Sequence, residues 1–297
     1  MIRRDWPNSA ASQMVEAGGL RWHVQRMGAD PSHHRPRMLL VHGTGASTHS
    51  WRALAPLLAR RFEVVAPDLP GHAFSAPIPS GPASLSAMSR ALHHLLTALD
   101  FKPDIVVGHS AGAAILARMC LDGRIAPRLL VSLNGAFLPF EGLAGHLFPP
   151  IARLLFLNPL APRLFAWSAD RTTVTRLLRG TGSMIEPAGV DQYVRLFSDK
   201  EHVAGVLAML ANWSLEQLQR DLGKLKTPLA LVVGAQDKAV PPESARQVLS
   251  RAPGARLERL RGLGHLAHEE NPVLVADLIQ KMSEEAGLLT PEAPSSP

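Results

Sequence analysis

Short runs of apolar residues alternate along the chain with longer stretches in which apolar and polar positions are mixed. A continuous apolar run such as 38–41 is typical of a strand covered on both faces of a sheet. The stretch 85–99 carries its leucines on one helical face, which predicts an amphipathic helix. The alternation predicts an α/β fold with a mostly parallel, eight-stranded sheet flanked by helices. The predicted strands are 13–16, 20–25, 38–41, 63–66, 103–107, 129–134, 229–233 and 256–260, and the predicted helices between and after them are 51–58, 85–99, 113–120, 242–250 and 273–285.

The alternation of strands and helices is interrupted between residues 136 and 222. There the pattern is helical and rich in leucine, aromatic residues and proline, with predicted helices at 147–157 and 161–167. We interpret this part as an inserted helical cap rather than a second autonomous domain. The end of the chain is rich in proline and serine, which is typical of disorder. The predicted organisation is a core formed by 1–135 and 223–287, a cap at 136–222 and a disordered tail at 288–297.

The composition argues against several classes of function. The net charge of +6 comes from scattered residues and only 5% of residues are aromatic, so we do not expect a nucleic-acid site. The single cysteine, Cys120, permits no internal disulfide and no zinc-finger spacing, and we predict no metal and no cofactor. No stretch approaches the roughly 20 apolar residues of a membrane span, and the start lacks the apolar core of a secretory signal. We expect a cytoplasmic protein, and leave open a peripheral position at the inner membrane.

A G-x-S-x-G motif, Gly108 to Gly112, lies between a predicted strand and a predicted helix. This context is that of a nucleophile elbow, in which a tight turn projects the serine above the end of the sheet. The turn is too crowded for larger side chains, which explains the two glycines. The alternative is a small-residue turn with a buried Ser110 and no chemistry, because such short motifs also arise by chance.

Two further strand ends supply the partners that a serine nucleophile needs. Asp237 follows the strand 229–233, and His265 follows the strand 256–260. A histidine can take the proton of Ser110, and an acid can fix the tautomer of that histidine. Each residue alone could be structural, Asp237 as a helix-capping aspartate and His265 as a surface histidine. Since the carboxyl ends of parallel strands face one crevice, we predict that the three residues form a catalytic triad.

The predicted oxyanion hole consists of two backbone N–H groups. Ala111, which follows the nucleophile, supplies one, and Thr44, in the loop after the strand 38–41, supplies the other. Asp68 follows another strand, and we expect it to form structural hydrogen bonds. His42 and Gly43 shape the Thr44 loop in this interpretation. The predicted substrate contacts are His42, Gly43, His109, Phe137 and Trp167.

Several phrases of the sequence resemble those of a known superfamily. The matching pieces are His42-Gly43-Thr44-Gly45, Asp68-Leu69-Pro70-Gly71-His72, Gly108 to Gly112, Asp237 with Val240-Pro241, and Gly264-His265 with Glu270 and Pro272. Through these pieces the chain resembles the α/β-hydrolase superfamily over nearly its whole length. The resemblance implies an α/β-hydrolase fold with Ser110, His265 and Asp237 as nucleophile, base and acid. The chain departs from the usual pattern at Ala73, where the family has a second glycine.

A narrower resemblance concerns the segments 5–8, 18–25, 42–51, 108–115 and 178–183. They are similar to the BchO group, the magnesium-chelatase accessory proteins of bacteriochlorophyll biosynthesis in phototrophic bacteria. This resemblance implies support of magnesium insertion into protoporphyrin IX and magnesium-chelatase subunits as partners. The chain contains no G-x-x-x-x-G-K-[ST] sequence, so the implied role is that of an accessory rather than an ATP-driven motor.

These observations leave three hypotheses for the function. The first is a serine hydrolase that acts on a bulky apolar ester or a tetrapyrrole ester entering under the cap. The second is a non-catalytic accessory that binds a tetrapyrrole, with cap arginines meeting its carboxylates. The third is a generic carboxylesterase on the same scaffold. The apolar cap residues behind the first hypothesis are Leu154, Leu155, Phe156, Leu157, Leu164, Phe165 and Trp167, and the arginines behind the second are Arg153, Arg163, Arg171, Arg176 and Arg179.

Overall fold

A computed structural model describes residues 5–30, 35–139, 158 and 160–290 of the chain. Its centre is one eight-stranded sheet in the order β1-β2-β4-β3-β5-β6-β7-β8. All eight predicted strands are present, and the elbow strand is shifted by two residues toward the serine. The strands are β1 Ser12–Ala17, β2 Leu20–Met27, β3 Arg37–Val41, β4 Glu63–Pro67, β5 Ile105–His109, β6 Leu129–Leu133, β7 Leu229–Gly234 and β8 Arg256–Leu260.

The direction of the strands determines where chemistry can be placed. β1 and β2 form an antiparallel hairpin through Gly18 and Gly19, and β2 pairs antiparallel with β4. From β4 through β3, β5, β6 and β7 to β8, every neighbouring pair is parallel. The loops that follow these strands therefore leave the same edge of the sheet. The predicted mostly parallel sheet is confirmed.

Helices flank the sheet and fill a long insertion between β6 and β7. The predicted helix 51–58 is divided, because a 3-10 turn, Thr48–Trp51, precedes a short α-helix. The predicted helix 147–157 lies outside the described residues. The helices are α1 Leu54–Leu58, α2 Leu85–Ala98, α3 Ala111–Leu121, α4 Ala161–Ser168, α5 Arg171–Gly180, α6 Pro187–Phe197, α7 Lys200–Ala211, α8 Glu216–Asp221, α9 Pro242–Arg251, α10 Ala267–Glu270 and α11 Pro272–Glu285. We call α4 to α8 the inserted helical segment.

The core has one apolar layer on each face of the sheet. Along β3, Leu39 and Val41 pack into the layer that includes α2 and α3. Met38 and Leu40 pack into the opposite layer, which includes α1 and α11. Because successive residues of a strand point to opposite faces, a run of apolar residues is what two covered faces require.

A third, smaller cluster joins the inserted helical segment to the core. Val174, Leu178, Val190 and Tyr193 of the segment pack with Ala46 and Leu266 of the core loops.

The packed part of the chain extends past the predicted end of the core at residue 287. Leu288 and Leu289 pack against the layer that contains α11. Residues 291–297 of the predicted tail lie outside the described residues. In the described part of the chain, none of the helices combines the length and apolar character needed to cross a membrane.

Candidate active site

Ser110 occupies the tight turn between β5 and α3. Its backbone lies at φ 51° and ψ −118°, a strained conformation for a residue with a side chain. A Cβ atom on Gly108 would lie 2.5 Å from the backbone of Ala113, and one on Gly112 would lie 2.1 Å from the carbonyl oxygen of Val41. The motif needs glycine at both positions because backbone atoms occupy the space of a side chain. This geometry is the one predicted for the elbow.

The predicted acid and base are in direct contact. Asp237 follows β7 and His265 follows β8, and both are buried. The Nδ1 atom of His265 lies 2.8 Å from Oδ2 of Asp237. The other carboxylate oxygen, Oδ1, accepts hydrogen bonds from the N–H groups of Ala239 at 2.8 Å and Val240 at 2.9 Å. With Nδ1 donating to the carboxylate, the Nε2 atom of His265 is left as the acceptor that a general base requires.

Contacts between the loops bring the acid–base pair to the elbow. Nε2 of His109, the residue before Ser110, donates a hydrogen bond to the backbone oxygen of His265 at 2.9 Å. The two imidazole rings lie 4.7 Å apart, centroid to centroid. On the other side, a Cβ atom on Gly43 would lie 3.0 Å from Cβ of Ser110. The structure therefore brings the ends of β3, β5, β7 and β8 together at one edge of the sheet.

The predicted oxyanion donors belong to α3, which follows Ser110, and to the loop after β3, whose Gly43 lies against Ser110. Ala111 is the first residue of α3, and the first N–H groups of a helix have no acceptor within it. Thr44 lies in a turn closed by a 3.2 Å hydrogen bond from the N–H of Ala46 to the oxygen of Gly43.

His42 supports this turn from the core. Its Nδ1 donates to the oxygen of Gly43 at 2.8 Å, and its Nε2 accepts from the N–H of Leu69 at 2.9 Å. Burial lowers the pKa of His42, which agrees with a neutral ring that donates at one nitrogen and accepts at the other.

The five predicted substrate contacts fall into different surroundings. Gly43 lies against Ser110, as described above. His42 and Phe137 are almost completely buried, so neither ring offers surface to a ligand in this conformation. His109 is also buried, and burial together with the neighbouring His268 and His265 keeps its pKa well below the usual value. Trp167 is 88% exposed and makes little contact with the described chain.

The other residues of the predicted cap also differ in their surroundings. Leu154 to Leu157 and Arg153 lie outside the described residues. Leu164 and Phe165 are 60% and 46% exposed, so they do not form a buried cap core. Arg163, Arg176 and Arg179 are exposed, and Arg171 forms a 2.7 Å ion pair with Asp191.

Comparisons with known proteins agree with this arrangement. Residues 38–278 match the alpha/beta hydrolase family. The chain belongs to the α/β-hydrolase family. This α/β-hydrolase is 39% identical over 266 residues to the magnesium-chelatase 30 kDa subunit of Rhodobacter capsulatus, covering 89% of this chain and 92% of that protein. The family resemblance drawn from the sequence is thereby confirmed.

Two solved structures share the fold of this α/β-hydrolase at low sequence identity. The epoxide hydrolase CorEH has a TM-score of 0.75 at 21% identity, covering 92% of this chain and 98% of that one. The CarC enzyme, a serine hydrolase involved in carbazole degradation, has a TM-score of 0.72 at 22% identity, with the same coverage of 92% and 98%. At these identities the likeness shows the α/β-hydrolase fold alone.

The structure shows a hydrogen-bond partner of Asp237 that the sequence did not indicate. Asn134 directly follows β6, and its Nδ2 donates to Oδ2 of Asp237 at 2.7 Å. Its backbone has a positive φ of 50°, and its side chain is buried. A polar residue at the end of an apolar strand was the available signal. Its partner, 103 positions away, was not visible in the sequence.

Asp68 of this α/β-hydrolase forms the structural hydrogen bonds expected of it. It accepts from Nδ1 of His23 and from the N–H of Thr48, both at 2.7 Å. Burial alone would raise its pKa, but the charge of His23 and these hydrogen bonds hold the pKa at about 2. His42, His72 and His202 lie nearby, with ring centroids 5.4 Å apart in successive pairs. Within the described ranges, no three His, Cys, Asp or Glu side chains are placed to hold a metal ion.

A buried polar cluster also fastens the inserted helical segment to the core. Glu269 is completely buried at its side chain, where it contacts Nη1 of Arg52 and accepts a 2.7 Å hydrogen bond from the hydroxyl of Tyr193. Arg52 also contacts Glu186 at 3.1 Å. Tyr193 and Glu186 belong to the segment, whereas Arg52 and Glu269 belong to the core.

Proposed function

We propose that this protein is a serine hydrolase of ester-like substrates, with Ser110, His265 and Asp237 as nucleophile, base and acid. The observation that carries the proposal is the buried Asp237–His265 pair, whose side chains meet at 2.8 Å beside the elbow of Ser110. A surface histidine or a capping aspartate would not need this contact. The side-chain order of hydroxyl, imidazole and carboxylate suits acyl transfer.

In this mechanism the hydroxyl oxygen of Ser110 attacks the ester carbonyl while its proton passes to Nε2 of His265. The carbonyl oxygen becomes an oxyanion that accepts hydrogen bonds from the N–H groups of Ala111 and Thr44. The ester C–O bond then breaks, and the alcohol leaves with the proton from His265. A water molecule, deprotonated by His265, attacks the acyl carbon, and the departing Ser110 oxygen regains a proton.

The substrate in this proposal is a bulky apolar ester, and residues 136–222 act as the cap above it. Exposed apolar side chains on α4, among them Leu164 and Trp167, give the inserted helical segment a surface that suits an apolar substrate. The relation to the magnesium-chelatase 30 kDa subunit supports a tetrapyrrole ester as the first substrate to test.

Activity-based labelling tests the proposal directly. The wild-type protein is incubated with a fluorophosphonate probe, and the labelled peptide is identified by mass spectrometry. We expect labelling at Ser110 that is lost in Ser110→Ala and retained in Ser168→Ala, which changes an exposed serine of the inserted helical segment. Folded wild-type protein that never reacts, or a label that persists in Ser110→Ala, would refute the proposal.

A second candidate function is a non-catalytic accessory that binds a tetrapyrrole and works with magnesium-chelatase subunits. The 39% identity to the Rhodobacter capsulatus subunit favours it. Exposed arginines on α4 and α5, such as Arg163 and Arg176, would meet the carboxylates of the ligand.

Titration of protoporphyrin IX and its magnesium form, followed at the Soret band, tests the accessory function. We expect a spectral shift at micromolar protein in both wild type and Ser110→Ala if binding is the role. A phototrophic strain that carries Ser110→Ala and makes normal amounts of bacteriochlorophyll would separate binding from catalysis. No Soret shift in either protein would contradict the accessory function.

A further inference from the structure

The turn between α5 and α6 of the inserted helical segment lies against both loops of the acid–base pair. We refer to it as the 181–184 turn. It consists of Thr181, Gly182, Ser183 and Met184, and it lies more than 50 residues before Asp237 in the sequence. Its contacts with the two loops involve backbone groups directly adjacent to the acid and the base.

The base loop is held on both sides of His265. The N–H of Leu266, which follows His265, donates to the hydroxyl oxygen of Ser183 at 2.8 Å, and Ser183 is 1% exposed. The N–H of Gly264, which precedes His265, donates to Oε1 of Glu270 at 2.9 Å. Oε2 of the same carboxylate accepts from the N–H of Met184 at 3.2 Å. Ser183 thus holds one side directly, and Glu270 links the other side to the turn.

The acid loop is held by the backbone of the same turn. The N–H of Lys238, which follows Asp237, donates to the oxygen of Thr181 at 3.0 Å. A Cβ atom on Gly182 would lie 1.9 Å from the oxygen of Gln236, the residue before Asp237. Gly182 also has a positive φ of 85°, so its position requires glycine for two reasons.

The two loops and the turn also pack against each other through backbone alone. A Cβ atom on Gly264 would lie 2.2 Å from the oxygen of Gly182, and one on Gly234 would lie 2.2 Å from the oxygen of Gly264. Such contacts leave little freedom for either loop to move relative to the turn.

We propose that the 181–184 turn is a positioning element of the active site, in which Ser183 and Glu270 fix the orientation of His265. The inference rests on the proposed function, because positioning matters only if His265 is the base. His265 must keep Nδ1 on Asp237 while Nε2 faces Ser110, and a misplacement of about 1 Å can reduce a rate by about 100-fold. The inserted helical segment is in this proposal part of the framework that orients His265.

The test compares Ser183→Ala and Glu270→Gln with the control Ser168→Ala. Ser183→Ala removes the acceptor for Leu266, and Glu270→Gln leaves one oxygen to serve two N–H groups. We expect Ser183→Ala to slow fluorophosphonate labelling of Ser110 by about 10-fold and to shift the pH midpoint of labelling. We expect a smaller change for Glu270→Gln and none for Ser168→Ala. Near-ultraviolet circular dichroism reports whether each variant is folded.

Amide hydrogen exchange gives a readout that does not depend on catalysis. We expect faster exchange at Leu266 in Ser183→Ala and at Gly264 in Glu270→Gln. Labelling of Ser183→Ala at the wild-type rate, with the wild-type pH profile, would overturn the inference. If Ser183→Ala does not fold, the same two measurements on Glu270→Gln decide, and unchanged values there overturn it. If wild type is never labelled, the proposed function fails. Unchanged exchange at Leu266 in Ser183→Ala and at Gly264 in Glu270→Gln would separately show that these contacts do not form.

Discussion

The two sides of the candidate active site are held in place by different parts of the chain. The elbow around Ser110 is fixed by its immediate neighbours in the sheet, including a 3.0 Å hydrogen bond from its N–H to the oxygen of Leu133. The acid–base pair lies in two loops that are held by Asn134, by Glu270 and by the 181–184 turn. The α/β core alone holds Ser110, whereas the loops of Asp237 and His265 also contact the inserted helical segment.

The largest effect is expected on the acid side. Asp237→Asn keeps the shape of the side chain but favours the wrong tautomer of His265, so labelling of Ser110 should slow by about 10⁴-fold, or about 5.5 kcal/mol. The stability of the elbow should not change. The rate constant of fluorophosphonate labelling is the measurement.

Asp221→Asn is the matched control for this substitution. Asp221 pairs with Arg118 at 2.9 Å and Lys224 at 2.8 Å, and neither partner belongs to the loops of Asp237 and His265. The Asp221→Asn substitution should lower the free energy of unfolding and leave the rate of Ser110 labelling unchanged. Equal labelling by Asp237→Asn and wild type would remove Asp237 from the triad.

The next prediction concerns the free energy of unfolding and a glycine of the elbow. In Gly112→Ala the new methyl group would lie 2.1 Å from the oxygen of Val41 and 2.6 Å from that of His42, both backbone atoms. We expect a loss of about 3 kcal/mol or more in the free energy of unfolding, since overpacking against backbone cannot relax easily. Urea unfolding followed by circular dichroism measures it.

Gly180→Ala provides the control for the elbow substitution. Its added methyl group meets open space, and the residue lies at the end of α5. We expect the free energy of unfolding to rise by less than about 1 kcal/mol. Similar losses for both variants would mean that the close approach at Gly112 is not the cause.

A smaller effect is expected at the residue that links β6 to the acid. Asn134→Gly removes the 2.7 Å hydrogen bond to Asp237 but tolerates the positive φ at this position. We expect labelling of Ser110 to slow by about 10-fold, which corresponds to about 1.4 kcal/mol. Asn134→Ala should show the same loss of rate and an additional loss of stability from backbone strain. A wild-type rate for Asn134→Gly would show that the carboxylate needs no support from β6.

The parts of the site that could be predicted from sequence are those with a local signal. The elbow is local, so Gly108, Ser110 and Gly112 appear within five residues and between two recognisable elements. Asp237 and His265 could be found because each follows a predicted strand. Asn134 and Ser183 could not be assigned, because their partners lie 103 and 83 positions away along the chain.

The inserted helical segment was the least predictable part for the same reason. Buried residues of its helices pack both on each other and against core residues that are distant in the sequence, such as Ala46 and Leu266. Trp167 as a substrate contact stays a prediction, because apolar character alone does not indicate the direction of a side chain.

A last variant tests whether the nucleophile side also depends on the inserted helical segment. His202 on α7 accepts from the N–H of Ala73 at 3.0 Å, and its Nε2 donates to the oxygen of Gly45 at 3.3 Å, next to Thr44. Burial is the main cause that lowers its pKa to about 4, and His42 adds to this effect, whereas Asp68 and Asp199 oppose it.

The pKa of His202 is therefore lower in the folded state than in the unfolded chain, where it is about 6.5. Its contribution to stability is present above pH 6.5 and is lost as the pH falls toward 4, because the unfolded chain binds the proton first. Between these values the free energy of unfolding should fall by up to about 1.4 kcal/mol per pH unit from this residue. His202→Gln should reduce that slope in urea titrations carried out between pH 6.5 and 4. An unchanged slope in His202→Gln would mean that the contact between α7 and Gly45 does not depend on a neutral imidazole.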